Sequence, residues 1–327
     1  MNGRVLVTGG AGFIGSHVCD LFLARGWGVD VIDDLSSGKR ENVPHRARLF
    51  AADIRSAEAG RLICDGDHDA IVHLAAQMDV RRSVADPVFD AGVNVLGTLH
   101  VLESVRRGAR ANQPRVVFSS TGGAVYGDLS SPPTAERSPK EPDSPYGIAK
   151  LAAEYYLAYY ARIHGVATVS VRFANVYGPR QDPHGEAGVV AIFCGRILDG
   201  LPLTIFGDGE QTRDYVHVAD AAEAIFLAAT GPLPDGARVD ERAFNIGTGV
   251  GTSVRELASV LLAAAGSNAA VEYAPERRGE QRHSFLDVGE ARRVLSWSPR
   301  VTLSKGLAET YSWFAARAAT APSFSRT

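Results

Sequence analysis

Pro145–Tyr146–Gly147–Ile148–Ala149–Lys150 sets a phenol and an ammonium four residues apart, a spacing that brings both to one face of a helix. A free tyrosine, with a pKa of about 10, is a poor base at neutral pH. A cation close by favours the phenolate and makes the pair suited to taking a proton from an alcohol. Tyrosine and lysine at this spacing also occur on ordinary helices, so the pair alone does not decide between catalysis and packing. Upstream, the apolar run Arg115–Val116–Val117–Phe118 ends in three hydroxyls, Ser119, Ser120 and Thr121, which adds groups that can hold an alcohol.

The elements that would position this chemistry begin at Arg4. RVLVTGGAGFIG reads as a buried strand, a tight turn and the first turn of a helix, with Gly9, Gly12 and Gly15 three residues apart. In such a turn the first glycine permits the reversal, the second lets backbone approach a pyrophosphate, and the third lets helix and strand pack closely. The helix start offers unpaired N–H groups to phosphates. A second apolar strand ends at Val31–Ile32–Asp33–Asp34, where a carboxylate accepts hydrogen bonds from an adenosine ribose and repels a 2′-phosphate. That combination points to NAD rather than NADP. A positive nicotinamide ring would further favour the phenolate of Tyr146.

Further along, Asp34–Leu35–Ser36–Ser37–Gly38–Lys39 is a polar loop at the expected adenosine end. Arg48–Leu49–Phe50–Ala51 reads as a third strand, after which Asp53 is either an adenine contact or a helix N-cap. Ala70–Ile71–Val72–His73–Leu74–Ala75–Ala76 is an apolar strand of the kind covered on both faces; its two alanines leave room for a ligand, and His73 reads as a core histidine. Pro87 to Arg107 reads as one long helix carrying Asn94 among apolar residues, Pro145 opens another helix, and Val166 to Arg172 is the next strand. Strand and helix alternating over 170 residues predict an α/β fold with a doubly wound parallel sheet of Rossmann type. Beyond Asn175 the pattern becomes irregular, which predicts a smaller C-terminal α/β substrate lobe. The expected division is 1–175 for dinucleotide binding and 176–327 mainly for substrate, with about 210–247 returning to the first domain and 316–327 a loose tail.

At 327 residues and 45% hydrophobic, the chain can bury a large core. Its net charge of −3 and lack of a long Lys/Arg run argue against nucleic-acid or membrane partners. Strand-like sequence close to Met1 and the absence of an apolar run of about 20 residues lead to a cytoplasmic expectation. Cys19, Cys64 and Cys194 are far apart in apolar contexts and read as reduced core residues. No histidine shares ligand spacing with a cysteine or carboxylate, so no metal is expected.

With these segments in hand, the chain resembles an extended short-chain dehydrogenase/reductase, and within that superfamily the UDP-hexose 4-epimerases. TGGAGFIGSH, HLAAQMDV, NVLGTLHVL, SSTGGAVYG, PYGIAK, RFANVYGP, GDGEQTRDYVHVAD and RRGE carry the likeness over nearly the whole chain. The resemblance implies that Tyr146 is the base, that Lys150 holds the nicotinamide ribose, and that Thr121, or else Ser120, hydrogen-bonds the sugar 4-hydroxyl. It extends the tightly bound NAD site to Phe13, Ile14, Ser36, Ser37, Gly38, Asp53, Ile54, Leu74, Ala75, Ala76, Gln77, Asn94, Ser119 and Phe173. For the UDP-sugar it implies Asn175, Gly188, Val189, Thr204, Phe206, Arg213, Arg277 (or Arg278 if the register slips by one) and Ser284. A small Ser284, where the family often has a bulky tyrosine, leads to the expectation that UDP-GlcNAc and UDP-GalNAc are accepted beside UDP-glucose and UDP-galactose. A UDP-uronic acid 4-epimerase shares the catalytic residues and stays open; a 4,6-dehydratase lacks its carboxylates at Gly122, Gly123 and Ala124. A non-catalytic NAD-binding module is the alternative of another class. Helices near Pro87–Arg107 and Tyr146–Arg162 match those of the family's dimer interface, which implies a homodimer.

Overall fold

β1 (Arg4–Thr8) is buried from Val5 onward, and the chain turns at Gly9 into α1 (Phe13–Ala24). β2 (Gly28–Asp33), β3 (Arg48–Ala51), α2 (Ala57–Cys64) and β4 (Ala70–His73) come next. Ser56 caps α2 by accepting from the Ala59 N–H, so Asp53 is not the cap. The computed structural model describes residues 2–108, 113–128, 131–183, 188–276 and 281–320.

The stretch expected as one helix from Pro87 is preceded by a short α3 (Val80–Ala85) and is itself composite. It runs as α4 (Pro87–Ala91), a π turn over Gly92–Leu96, and α5 (Gly97–Arg107). Asp86 caps α4 ahead of Pro87, whose fixed φ suits the first helical position. The extra residue of a π turn rotates the helical segment after it, and here Asn94 is buried in that turn. β5 (Arg115–Thr121) leads across to α6 (Pro145–His164), which Ser144 caps through the Gly147 N–H and Gly165 ends at φ 69. β6 (Thr168–Phe173) and β7 (Asn175–Tyr177) continue the chain.

The remaining elements are α7 (Val189–Leu198), β8 (Leu203–Phe206), β9 (Thr212–Arg213), β10 (Tyr215–His217), α8 (Val218–Thr230), β11 (Ala243–Ile246), β12 (Thr252–Ser253), α9 (Val254–Ala265), β13 (Val271–Ala274), β14 (His283–Ser284), α10 (Gly289–Leu295) and α11 (Leu303–Thr320). Seven strands form one parallel sheet in the order β11-β6-β5-β4-β1-β2-β3. Alternate residues feed opposite faces: Val5, Val7, Val31 and Val72 pack towards α1 and α8, while Leu6, Ile32, Ile71 and Phe118 pack towards α2, α5 and α6. Chain order reverses between β1 and β4, and in such sheets a ligand crevice opens at the carboxyl ends of the strands on either side of the reversal.

A third core, around Phe193, Leu203, Ile205, Leu257 and Leu307, belongs to the smaller lobe, whose strands form short pairs: β13 with β8, and β12 and β14 on either side of β9. Residues 316–320 were expected in a loose tail but continue α11, which packs on α9 and α7 through Leu307 and Phe314; 321–327 lie outside the described residues. Cys64 also departs from expectation, being only partly buried, whereas Cys19 and Cys194 are core residues. Among the described residues no helix is long and apolar enough to cross a membrane.

Candidate active site

The glycine turn after β1 is built so that no side chain fits. Gly9 has φ +73 and donates its N–H to Ile32 O at 2.8 Å. A Cβ on Gly9 would stand 2.7 Å from Ala75 N, and one on Gly15 would overlap Gly9 O. Gly12, the N-cap of α1, contributes no side-chain hydrogen bond, which leaves the first N–H groups of Phe13, Ile14 and Gly15 open to an anion. Cradle and helix end together fit the pyrophosphate of a dinucleotide.

Asp33, 6% exposed, closes β2 beside this turn: Oδ2 accepts from the Ala11 N–H and Oδ1 from the Leu35 N–H, both at 2.9 Å. Burial pushes its carboxyl up, and the two N–H groups pull it back. Lone pairs remain on both oxygens for ribose hydroxyls. Asp34 is exposed, with Oδ1 accepting from Ser36 N and Oγ; Ser37 and Gly38 continue that loop, and a Cβ on Gly38 would meet Asp33 Oδ1 at 2.7 Å. Asp53 forms a two-pronged ion pair with Arg55, which holds its carboxyl below the usual range, and Ile54 is buried.

Across the crevice, the loop after β4 is anchored by hydrogen bonds through His73. The Thr98 hydroxyl donates to Asn94 O at 2.7 Å, so its oxygen accepts from His73 Nε2–H at 3.1 Å; Nδ1 then accepts from the Thr8 hydroxyl at 2.7 Å, and Thr8 accepts from the Ala75 N–H. His73 is thus neutral and structural, pushed down to about 3 by burial and by the Lys150 ammonium. Leu74 and Ala76 flank Ala75 on the half-buried loop. Gln77 and Asn94 exchange N–H···O bonds, and both donate to Asp90 Oδ1 at 2.9 Å.

Tyr146 and Lys150 project from α6, two and six residues past its Ser144 cap. Lys150 Nζ donates to Ser119 O at 2.9 Å and lies 5.8 Å from the Tyr146 ring centroid. Burial pushes Lys150 down to about 8, against the pull of Asp90 and Glu154. Tyr146 departs from the sequence expectation: burial and the Asp90 carboxylate push its phenol up. The ammonium hydrogen-bonds a carbonyl and not the phenol, and burial outweighs its attraction for the phenolate.

Period-two alternation on β5 separates the hydroxyls. Ser119 and Thr121 are half-buried on one face; Ser120, 3% exposed, faces the other way and donates to Glu154 Oε1 at 2.5 Å. Ser120 is therefore removed from the candidate catalytic set, and Thr121 remains. Glu154 in turn receives the fully buried Arg172 at 2.6 Å, and Arg172 also reaches Tyr126, Glu136 O and Asp240. Sequence reading missed this pair, although an arginine inside the apolar strand Thr168–Phe173 signals a buried partner of opposite sign.

On the substrate side, Phe173 is buried at the end of β6 and Asn175 exposed at the start of β7, its N–H donating to Asp214 O. Gly188 is the uncapped N-terminus of α7, with half-buried Val189 next to it. Leu203 and Ile205 point into the core of the lobe, which turns Thr204 and Phe206 to the opposite face of β8. Arg213 on β9 pairs in register with Ser284 on β14, bringing together two candidates that lie far apart in sequence. Asp214, buried next to Arg213, accepts from Thr248 N and Oγ1, Gly249 N and Leu286 N. Arg277 and Arg278 lie outside the described residues.

Residues 5–247 match the profile of the NAD dependent epimerase/dehydratase family. The chain is 48% identical over 317 residues to the UDP-glucose 4-epimerase of Mycolicibacterium smegmatis, covering 95% of this chain and 98% of that one. It superposes on the crystal structure of UDP-glucose 4-epimerase from Thermotoga maritima with UDP-glucose at a TM-score of 0.89 and 44% identity, over 96% of this chain and 99% of that. A UDP-N-acetylglucosamine 4-epimerase from Methanobrevibacter ruminantium, in complex with UDP-N-acetylmuramic acid, gives 0.88 at 33% identity, over 96% and 99%. A glycine cradle shaped for a dinucleotide, a helix-borne tyrosine and lysine beside it, and likeness along almost the full length agree, and the chain belongs to the NAD-dependent epimerase/dehydratase family.

Proposed function

We propose that this protein interconverts UDP-glucose and UDP-galactose, and likewise UDP-GlcNAc and UDP-GalNAc, by NAD-dependent epimerisation at C4. The observation that carries this reading is the convergence of the glycine turn, the Tyr146–Lys150 face of α6 and Thr121 at the carboxyl edge of one sheet. NAD, when bound, supplies the acceptor and then the donor of the C4 hydride. Tyr146 takes the 4-hydroxyl proton and later returns it, and Thr121 holds that oxygen by a hydrogen bond. Lys150, anchored to Ser119 O, holds the nicotinamide ribose. The 4-keto sugar rotates between the two steps, which requires that binding energy sit away from C4; Arg213 and Arg277 provide it on the diphosphate, where a planar guanidinium binds two oxygens at once. Thr204, Phe206, Asn175, Gly188 and Val189 complete the substrate contacts.

The hydroxymethyl of Ser284 beside Arg213 leaves space that a tyrosine would fill, which favours acceptance of a 2-acetamido group. A 4,6-dehydratase needs an acid and a base near C5 and C6. A Cβ on Gly123 would stand 3.9 Å from Thr121 Oγ1, and that neighbouring position carries no carboxylate. Incubation of the purified protein with UDP-galactose and no added cofactor tests the reading: UDP-glucose should form, NAD(H) should be released on denaturation, and UDP-GlcNAc should also turn over. No turnover of either sugar, with or without added NAD, overturns it. Turnover of UDP-glucose without UDP-GlcNAc overturns the wider specificity, which Ser284→Tyr should itself remove.

The homodimer is also a proposal. Val88, Leu96, Ile148, Tyr155 and Ile163 expose apolar surface along α4, the π turn and α6, as expected of a face covered by a second copy. Sedimentation of the wild type and of Tyr155→Glu should give a dimer and a monomer respectively.

A further inference from the structure

Asp90, on α4, is 1% exposed. Its Oδ1 accepts from Gln77 Nε2 and Asn94 Nδ2, and its equally buried Oδ2 has no hydrogen-bond partner among the described residues. Burial pushes its carboxyl up, against the pull of the two N–H donors on Oδ1 and of the nearby Lys150 ammonium. The other charges around α4 are committed elsewhere. On α6, Glu154 is neutralised by Arg172 at 2.6 Å. On α3, Arg81 and Arg82 are exposed, with the Arg82 guanidinium stacked 4.1 Å over the Phe89 ring. Asp79 and Asp86 cap helices through the N–H groups of Arg82 and Phe89. His73 is neutral. α4 packs directly on α6, which carries Lys150 and Tyr146, and these are the groups that feel Asp90, one stabilised as a cation and the other opposed as an anion.

We propose that Asp90 is the counter-ion of the catalytic pair, a positioning residue whose negative charge holds the Lys150 ammonium and restrains the Tyr146 phenol, an inference that rests on the epimerase reading of this site. Placed beside a π turn with Gln77 and Asn94, it ties the loop after β4 to the field in which the proton moves. Because lysine and tyrosine both respond to the same charge, its removal shifts both titrations in one direction, to lower pH.

The test is Asp90→Asn, with Asp90→Ser as a second charge-free variant that buries no new amide donor in case the first does not fold. In a folded charge-free variant, both limbs of the kcat–pH profile should move to lower pH by about one unit, and Asp90→Glu should restore them. Tyrosinate absorbance, taken as the difference between each protein and its Tyr146→Phe counterpart with NAD alone, should move the same way without any sugar. A charge-free variant whose profile and tyrosinate titration superimpose on the wild type, with kcat lowered evenly at all pH, shows a merely structural role and overturns the proposal. A wild type inactive on every UDP-sugar overturns the epimerase reading instead, while the tyrosinate titration still decides the role of Asp90.

Discussion

The two faces of β5 use similar residues to opposite ends. On one, the half-buried hydroxyls of Ser119 and Thr121 keep hydrogen-bonding capacity for a ligand, and the Ser119 carbonyl accepts from Lys150. On the other, Ser120, Glu154 and Arg172 consume nearly all of theirs on one another, with Tyr126 and Asn245 closing the network at 3.0 and 2.7 Å. Lys150 and Glu154 are four apart on the same helix, one donating to the carbonyl of Ser119 and the other accepting from the hydroxyl of Ser120. A reactive group here is thus one whose partners are incomplete, backed by a second set whose partners are complete and which fixes strand and helix relative to each other.

The largest effect is expected on the open face. Tyr146→Phe should lower kcat by about 10²–10⁴-fold while NAD stays bound, as read by turnover and by cofactor recovered from the purified variant; retention of near-native kcat would break the assignment. On the closed face, Glu154→Ala leaves Arg172 charged and buried. It should cost about 3–5 kcal/mol of stability, measured by denaturant unfolding, whereas the pairwise replacement Glu154→Leu with Arg172→Met should cost clearly less than the sum of the single changes.

The neighbouring hydroxyls sharpen the contrast further. Thr121→Ala should lower kcat about tenfold, the worth of one good hydrogen bond, with little change in melting temperature. Ser120→Ala should show the reverse emphasis, losing about 1–3 kcal/mol of stability because it removes a buried hydrogen bond to a charged group. The reverse ranking of the two on kcat would mean that the wrong face of β5 has been assigned. The effect that is smallest at neutral pH concerns His73. Its folded value of about 3 lies below the ordinary 6.5, so as pH falls from 6.5 towards 3 the unfolded chain takes up a proton that the folded chain refuses. Stability should therefore decline over that window, by up to about 1.4 kcal/mol per pH unit, and His73→Gln should flatten the slope.

Much of the first half of the molecule is legible in the sequence because its signals are local. The glycine turn, the Pro145 start of α6, the i, i+4 tyrosine and lysine, and the apolar strands each declare themselves within a dozen residues. The composite helix from Pro87 escaped because a π turn leaves the apolar spacing almost unchanged. Ser120 was offered beside Thr121 because the match of SSTGGAVYG to the family does not separate the two hydroxyls, and only alternation on the folded strand puts them on opposite faces. The C-terminal half was harder: β9, β12 and β14 have two residues each, too few for any periodicity.

The sequence by itself determined the class of chemistry, since a phenol, an ammonium and a phosphate-binding turn keep their properties wherever the chain takes them, and it determined the strands and helices that carry them. Only the tertiary structure decided that Ser120 is tied to Glu154, that a buried Asp90 acts on Tyr146 and Lys150 across packed helices, and that Ser284 lies next to Arg213. Those outcomes depend on charges and short strands brought together across long stretches of chain, where the electrostatic interaction depends on distance in space and not on separation in sequence.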